Sequence, residues 1–478
     1  MERPQCSFGY PGGYETNPGP PEARRPHIEL TPTFVMLLQE FRCVFTQPTF
    51  VTFTALMAGW ALSHRRRYIT ELIQSSGSTH QGHHSRYHRF FSHARWSLDT
   101  LCLVLAKLLV AVFAPWGLLE LAVDDTLCRK RGLTVYGTGM HHDPLISSRA
   151  KPLVSWGHDW VVLCLILRCP AWAPTKVWCL PVLFRLYRNR QGLTKGRKGH
   201  KPKPDPNHRS RPQLALEMIQ LFASWFPQRQ LLVSGDSAYG GQSILRYLPA
   251  NVDLISHVHP KGALYAPPSP AVPGQRGARR KKGVRLPGMA AWAAERTQHW
   301  QVLTFHQFGL HATLHVKTRQ ALYYTAGRDR LLTIVLVHDP EGKRPDQMFY
   351  STRLDWQVRQ ILSAYACRWA IEVTFENSKQ FLGLEDPANR LPEAVRRTAP
   401  VALVLYSLVV AWFHRLGHTW LRFPDRPWYP RKQEPSFADM LTTLRRVSWE
   451  EKFREVQLPS GPQQILLAQL IDFVSRTG

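Results

Sequence analysis

Tyr365, Arg368, Glu372 and Lys379 stand at relative positions 0, 3, 7 and 14 of the segment YACRWAIEVTFENSK. At about 3.6 residues per turn, a helix places these side chains at about 0°, 300°, 340° and 320°. One stripe then carries a carboxylate flanked by two cations and a phenol. Arg and Lys bind phosphate oxygens and carboxylates bind hard cations, so the set suits a site that handles a metal ion and a phosphate together. Taken alone, the stripe equally describes a surface helix with i,i+4 ion pairs.

Two further carboxylates sit where chemistry could use them. The run LLELAV (Leu118–Val123) ends at Asp124-Asp125-Thr126, and Leu231-Leu232-Val233 leads into Ser234-Gly235-Asp236-Ser237. Short apolar runs closed by acids read as buried strands delivering carboxylates to their C-terminal ends. Asp124, Asp236 and Glu372 are far apart in the chain, so only a folded sheet could unite them. Oxygen-only ligation of this kind selects Mg²⁺ or Mn²⁺, and two such ions can clamp the attacking and leaving oxygens of a phosphoryl transfer. Each acid by itself reads as well as a cap, a turn residue or an ion-pair partner.

Composition supports a polyanionic substrate. The chain has 61 Lys+Arg against 34 Asp+Glu, formally +27, and such a balance attracts nucleic acid. At 44% hydrophobic and 11% aromatic over 478 residues, it can bury a large core, and its length suggests two to four domains. Its eight cysteines form no CxxC pair and no Cys/His metal spacing, so they read as reduced thiols of a cytosolic protein, without structural zinc. His141, His142, His158, His257 and His259 show no ligand-like spacing. The N-terminus lacks an apolar signal core. Leu101–Ala122 is interrupted by Lys107 and Pro115, and Pro400–Phe413 is too short for roughly 30 Å of hydrocarbon. Both read as core elements, and no membrane partner is expected.

These residues need an α/β framework. Residues 1–28 read as a flexible tail, and 29–115 as a helical N-terminal domain with possible DNA contact through His64–Arg67 and His83–Trp96. Residues 116–251 hold the first part of the core, with strands at Leu118–Val123, His158–Leu167 and Leu231–Val233. A basic loop over Arg185–Arg211 leads into a helix opened by Pro212. Residues 252–345 read as a β-rich insertion containing the basic stretch Gln275–Gly288. Residues 346–415 return to the core with a strand at Met348–Thr352 and a helix over Val358–Phe381, capped by Asp355 and ended by Gly383. Residues 416–478 read as helical. The two basic stretches, including Arg276, Arg279, Arg280, Lys281, Lys282 and Arg285, read either as tracks for DNA backbone or as solvated loops.

The spacing Tyr365-x2-Arg368-x3-Glu372-x6-Lys379 resembles the Y-R-E-K signature of a large group of bacterial insertion-sequence transposases, DDE enzymes with an RNase H-like catalytic core. The words VDDT at 123–126, GDSAYG at 235–240 and YACRWAIEVTFENSKQFLGL at 365–384 agree with it, and the resemblance covers roughly residues 85–415. It implies an RNase H-like mixed sheet flanked by helices, with the β-rich insertion between the second Asp and the Glu. It implies that Asp124, Asp236 and Glu372 are catalytic and bind two divalent ions, Mg²⁺ or Mn²⁺. Tyr365, Arg368 and Lys379 would grip phosphates near the cleaved end. Asp124 is preferred to Asp125 because the family reads Asp-x-Thr, and the six-residue gap to Lys379 selects Glu372 over Glu376. Trp369 reads either as core or as the aromatic on which hairpin-forming relatives hold an unstacked base.

The activity so implied is transposition: metal-dependent cleavage of transposon ends and strand transfer into target DNA, cut-and-paste, with a possible hairpin intermediate. The expected partners are double-stranded DNA and a second copy of the chain, in a bacterial cytoplasm at the nucleoid. The competing readings are a non-catalytic DNA-binding protein derived from a transposase and a hydrolytic nuclease on the same core.

Overall fold

The computed structural model describes residues 30–148, 150–189, 206–270, 278–307, 310–424, 431–454 and 462–476. The expected 1–28 tail and most of the basic segment before Arg211 lie outside the described residues. Among the described residues, ten strands form one mixed sheet. They are β1 (Leu119–Arg129), β2 (Gly139–His142), β3 (Val154–Arg168), β4 (Val177–Tyr187), β5 (Leu231–Gly235), β6 (Val252–His257), β7 (Gln301–Gln307), β8 (Leu310–Leu322), β9 (Leu331–His338) and β10 (Gln347–Ser351).

The centre of the sheet runs β4-β3-β1-β5-β6. β3 is antiparallel to both β4 and β1, while β1, β5 and β6 are mutually parallel. β1 does not stop at its acids as the sequence suggested. Its antiparallel partner β3 carries it on to Arg129, paired with Gly157. Its parallel partner β5 ends at Gly235, paired with Val123. The acids therefore mark where two parallel strands part.

Sequence reasoning misses β4. Its apolar run is interrupted by Pro181 and merges into the basic segment, and a proline is tolerated here because the strand is an edge with a register shift opposite Cys164. The run VDLISH, expected within the insertion, pairs in parallel with β5 as β6. The expected boundary at residue 252 thus falls inside the continuous sheet. β10, β9, β8 and β7 extend that sheet by antiparallel pairing.

Five helices precede the sheet: α1 (Pro32–Gln39), α2 (Gln47–Leu62), α3 (Ile69–Ser75), α4 (Ser85–Ser92) and α5 (Leu98–Phe113). Their aromatic residues, among them Phe53, Trp60, Phe90 and Phe91, share one apolar cluster with the sheet. Part of the basic run His64–Arg67 turns inward: Arg67 is buried, and its Nη2 donates to the Phe381 carbonyl at 2.5 Å. Later helices are α6 (Arg211–Trp225), the short α7 (Gln242–Leu245), α8 (Met289–Ala294) and α9 (Tyr324–Gly327), then α10 (Val358–Cys367), α11 (Ala370–Leu382), α12 (Pro392–Arg415), α13 (Phe437–Arg454) and α14 (Pro462–Arg476). By length and composition α12 could cross a bilayer, but 89% of its apolar window is buried inside the chain, against β4, α4 and α5.

The expected helix over Val358–Phe381 is two helices. At the join, Arg368 N–H donates to Tyr365, Trp369 to Ala366, Ile371 to Arg368 and Glu372 to Trp369. These three-residue steps overwind the chain, so a single helical wheel does not describe the whole stripe. Asp355 is not the cap. Gln357 and Gln360 form a reciprocal capping box, and Asp355 instead pairs with Arg353 at 2.7 Å. Gly383 does end α11, with φ of 58°.

Candidate active site

The parallel register builds the site. Asp124 and Asp236 each follow directly on the last β1–β5 pair, Val123 with Gly235. Successive strand residues point to opposite faces, so Asp124 and Asp125 separate. Asp124 faces the α10–α11 side. Its Oδ2 accepts from Arg368 Nη1 at 2.6 Å, and its Oδ1 accepts from the Asp125 backbone N–H at 2.9 Å. Asp125 accepts from the Tyr239 hydroxyl at 2.5 Å and lies 3.3 Å from Arg211 Nε.

α11 is docked on the sheet by its buried positions Ile371, Thr374, Phe375, Ser378 and Leu382, the spacing of one helical face. The Thr374 hydroxyl donates to the Cys179 carbonyl of β4 at 2.8 Å, and Lys379 Nζ donates to the Leu127 carbonyl of β1 at 2.7 Å. Trp60 Nε1 from α2 donates to the Leu382 carbonyl at 2.8 Å and secures the far end. So held, α11 presents Glu372 on the Asp124 side of the sheet, 3.5 Å from Arg368 Nη2. One guanidinium therefore bridges Asp124 and Glu372.

The strand register sets Asp236 beside Asp124, and its charge acts on the other two acids. Burial raises the Asp124 carboxyl to about 7; Arg368 opposes the shift, and the charges of Asp236 and Asp125 add to it. Burial also raises Glu372, with Arg368 again opposing and Asp236 adding. The Asp236 Oδ1 accepts from the Ala238 N–H at 2.8 Å, and its carbonyl accepts from the Ser256 hydroxyl at 2.6 Å, which fixes the turn that carries it.

The remaining stripe residues have separate places. The Tyr365 ring lies against His257 and Phe349, with the Arg368 guanidinium 5.5 Å from its centroid. Lys379 lies farther along, on β1. Trp369 is 63% exposed, which excludes the core reading of this residue, and Glu376 is exposed. Among the described residues, no three His, Cys, Asp or Glu side chains are gathered closely enough to hold a metal ion as they stand; Arg368 already pairs with two of the three acids.

A second cluster on the opposite face escaped the sequence reading. Asp159 on β3 is 1% exposed and accepts from Arg211 Nε at 2.5 Å. His141 Nδ1 lies 3.6 Å from its carboxylate. Burial and mutual repulsion raise Asp125, and burial raises Asp159. The word HDW inside an apolar run was the available signal, since a buried Asp requires a partner. His158 is structural: its Nε2 lies 2.8 Å from the Tyr136 carbonyl, and burial lowers it to about 4.

The model of the DDE superfamily endonuclease family matches residues 40–327, more than half of the chain, and the chain belongs to that family. Membership supports an enzyme of nuclease or transposase type, with DNA as its substrate. The matched segment includes Asp124 and Asp236 and ends before α10 and α11. No curated protein matches the chain.

Proposed function

We propose that the chain is a DNA transposase that cuts transposon ends and joins them to target DNA. The observation that carries the reading is the arginine bridge. Arg368, at the α10–α11 join, holds Asp124 from β1 and Glu372 from α11 together, with Asp236 adjoining. A chain needs no such pairing of two acids with one arginine for stability alone, because buried carboxylates cost desolvation. The central strand order β4-β3-β1-β5-β6, with its first two pairings antiparallel and its last two parallel, supports an RNase H-like core. On this reading, helices over 29–115 and 416–478 flank a core of 116–251 and 346–415 joined by β6, and the rest of 252–345 is the insertion.

Asp124, Asp236 and Glu372 offer oxygen donors only, and the raised proton affinity of the buried Asp124 is what a carboxylate shows before a cation neutralises it. These donors fit two Mg²⁺ or Mn²⁺ ions, provided that Arg368 releases Asp124. Bound there, such ions would activate a water and stabilise the departing 3′ oxygen. The released Arg368 is then free to hold a phosphate oxygen. Tyr365 keeps Arg368 aligned, Lys379 contributes positive charge along the DNA path, and exposed Trp369 offers a face on which an unpaired base can stack. Two ends must be joined, so two copies of the chain assemble on DNA, at the nucleoid of a bacterial cytoplasm.

The test is to incubate purified protein with Mg²⁺ and a duplex carrying the ends of its element. Strand-joined products are expected. Nicked products alone would make it a hydrolytic nuclease, as the family description also permits, and retention without cleavage would make it a DNA-binding derivative.

A further inference from the structure

His257 completes the row of groups at the mouth of the parallel strands. Gly235 pairs with Val123, and Ser234 pairs with Ile255. Carried two residues further, that register sets Asp124, Asp236 and His257 side by side at the ends of β1, β5 and β6. The Ser256 hydroxyl, bonded to the Asp236 carbonyl at 2.6 Å, ties the last two strand ends together.

The imidazole is held in a fixed orientation. The Phe349 ring lies 4.3 Å away at 39°, and the Tyr365 ring 4.9 Å away at 85°. Tyr365 in turn supports Arg368, so the cage around His257 adjoins the bridge between Asp124 and Glu372. Three other histidines of the sheet have polar partners: His158 has the Tyr136 carbonyl, His141 has Asp159 and His338 has Asp346. The ring nitrogens of His257 bond to no other described residue, although the residue is only partly buried. Burial and the Arg368 charge hold it near 4, well below its ordinary value. At neutral pH it therefore carries one N–H donor and no charge.

We propose that His257 binds the scissile phosphodiester directly, donating its ring N–H to a non-bridging oxygen of the phosphate that is cleaved between Asp124 and Asp236. The proposal rests on the transposase reading and adds a substrate contact to it. A neutral donor suits this position because a second cation beside Arg368 would repel the ions that the acids attract. The ring is rigid, so the contact needs little ordering when DNA arrives.

His257→Phe retains the aromatic packing against Phe349 and Tyr365 but removes the donor, whereas His257→Gln keeps a donor. We expect His257→Phe to unfold at the wild-type temperature, to bind end DNA within about threefold of wild type, and to cleave about 10- to 100-fold more slowly. His257→Gln should recover part of the rate. The decisive substrate is a duplex with one methylphosphonate at the scissile linkage, prepared as each stereoisomer. One isomer should slow the wild type much more than it slows His257→Phe, since the lost oxygen and the lost donor belong to one bond. If both isomers slow the two proteins equally, or if His257→Phe cleaves normal DNA at the wild-type rate, the contact does not exist. If the wild type does not cut the unmodified duplex in Mg²⁺, the transposase reading fails, and this proposal fails with it.

Discussion

Arg368 decides what the acids do at rest. A buried carboxylate beside other carboxylates prefers its proton, and the one guanidinium partly offsets that preference at Asp124 and at Glu372. Replacing Asp124, Asp236 or Glu372 singly with Ala should abolish cleavage while leaving binding of end DNA within a few-fold, measured on one labelled duplex by gel shift and by product analysis. Normal cleavage by any one variant removes that residue from the site. The shift at Asp124 also sets a pH dependence. Its folded value, about 7 against an ordinary 3.8, means that the native chain holds this proton more tightly than the unfolded chain. The associated stability is full below about pH 4 and is lost as pH rises to about 7, at most about 4 kcal/mol. In metal-free buffer, unfolding free energies of wild type minus Asp124→Asn should therefore fall between pH 5 and 7.5. Parallel curves would mean that Asp124 is ionised throughout that range.

At the scale of elements, the site depends on where α11 ends as much as on where it begins. Gly383 adopts φ of 58°, and an added Cβ would lie 2.2 Å from Asp386 Oδ2. That carboxylate accepts the Arg67 backbone N–H at 2.9 Å and joins the N-terminal helices to this turn. Gly383→Ala should cost about 1–2 kcal/mol from the left-handed conformation alone, with more from the displaced carboxylate, read as a lower denaturation midpoint. Its cleavage rate should fall as well, because α11 carries Glu372; an unchanged midpoint would show that the turn relaxes freely. The sequence reading of the α10–α11 stretch placed its start at Val358 and its end at Gly383, but missed the break at Arg368 and named the wrong cap. A glycine at a helix end has one strong conformational reason to be there. Asp355 had a competing partner, Arg353, two residues away.

For the whole molecule, the formal charge of +27 has to be divided between internal duties and DNA. Arg67, Arg368 and Arg445 are buried, and Arg185 is committed to Asp99 and Glu217, so they add little to a free basic surface. Arg279, Arg280 and Lys281 are exposed. Their joint replacement with Ala should lower the slope of log affinity against log salt by about 2–3, at about 0.9 per phosphate contact, measured by fluorescence anisotropy from 50 to 200 mM NaCl. An unchanged slope would leave that stretch a solvated loop.

Residue type and local spacing were enough to single out Asp124, Asp236, Glu372 and Arg368 as candidates, because short apolar runs and helical periodicity are local properties. So is the charge that suits a polyanion. Long-range pairing decided the rest. Whether Asp124 or Asp125 faces Arg368 depends on the side of the sheet that α11 covers, a choice the sequence favoured only through the resemblance of Asp124-x-Thr126 to the family pattern. The second cluster of Asp125, Asp159 and Arg211 exists because β3 and α6 meet behind the first strand. His257 joins the acids because β6 lies parallel to β5, a neighbour relation fixed by the pairing of whole strands and not by the residues beside it in the chain.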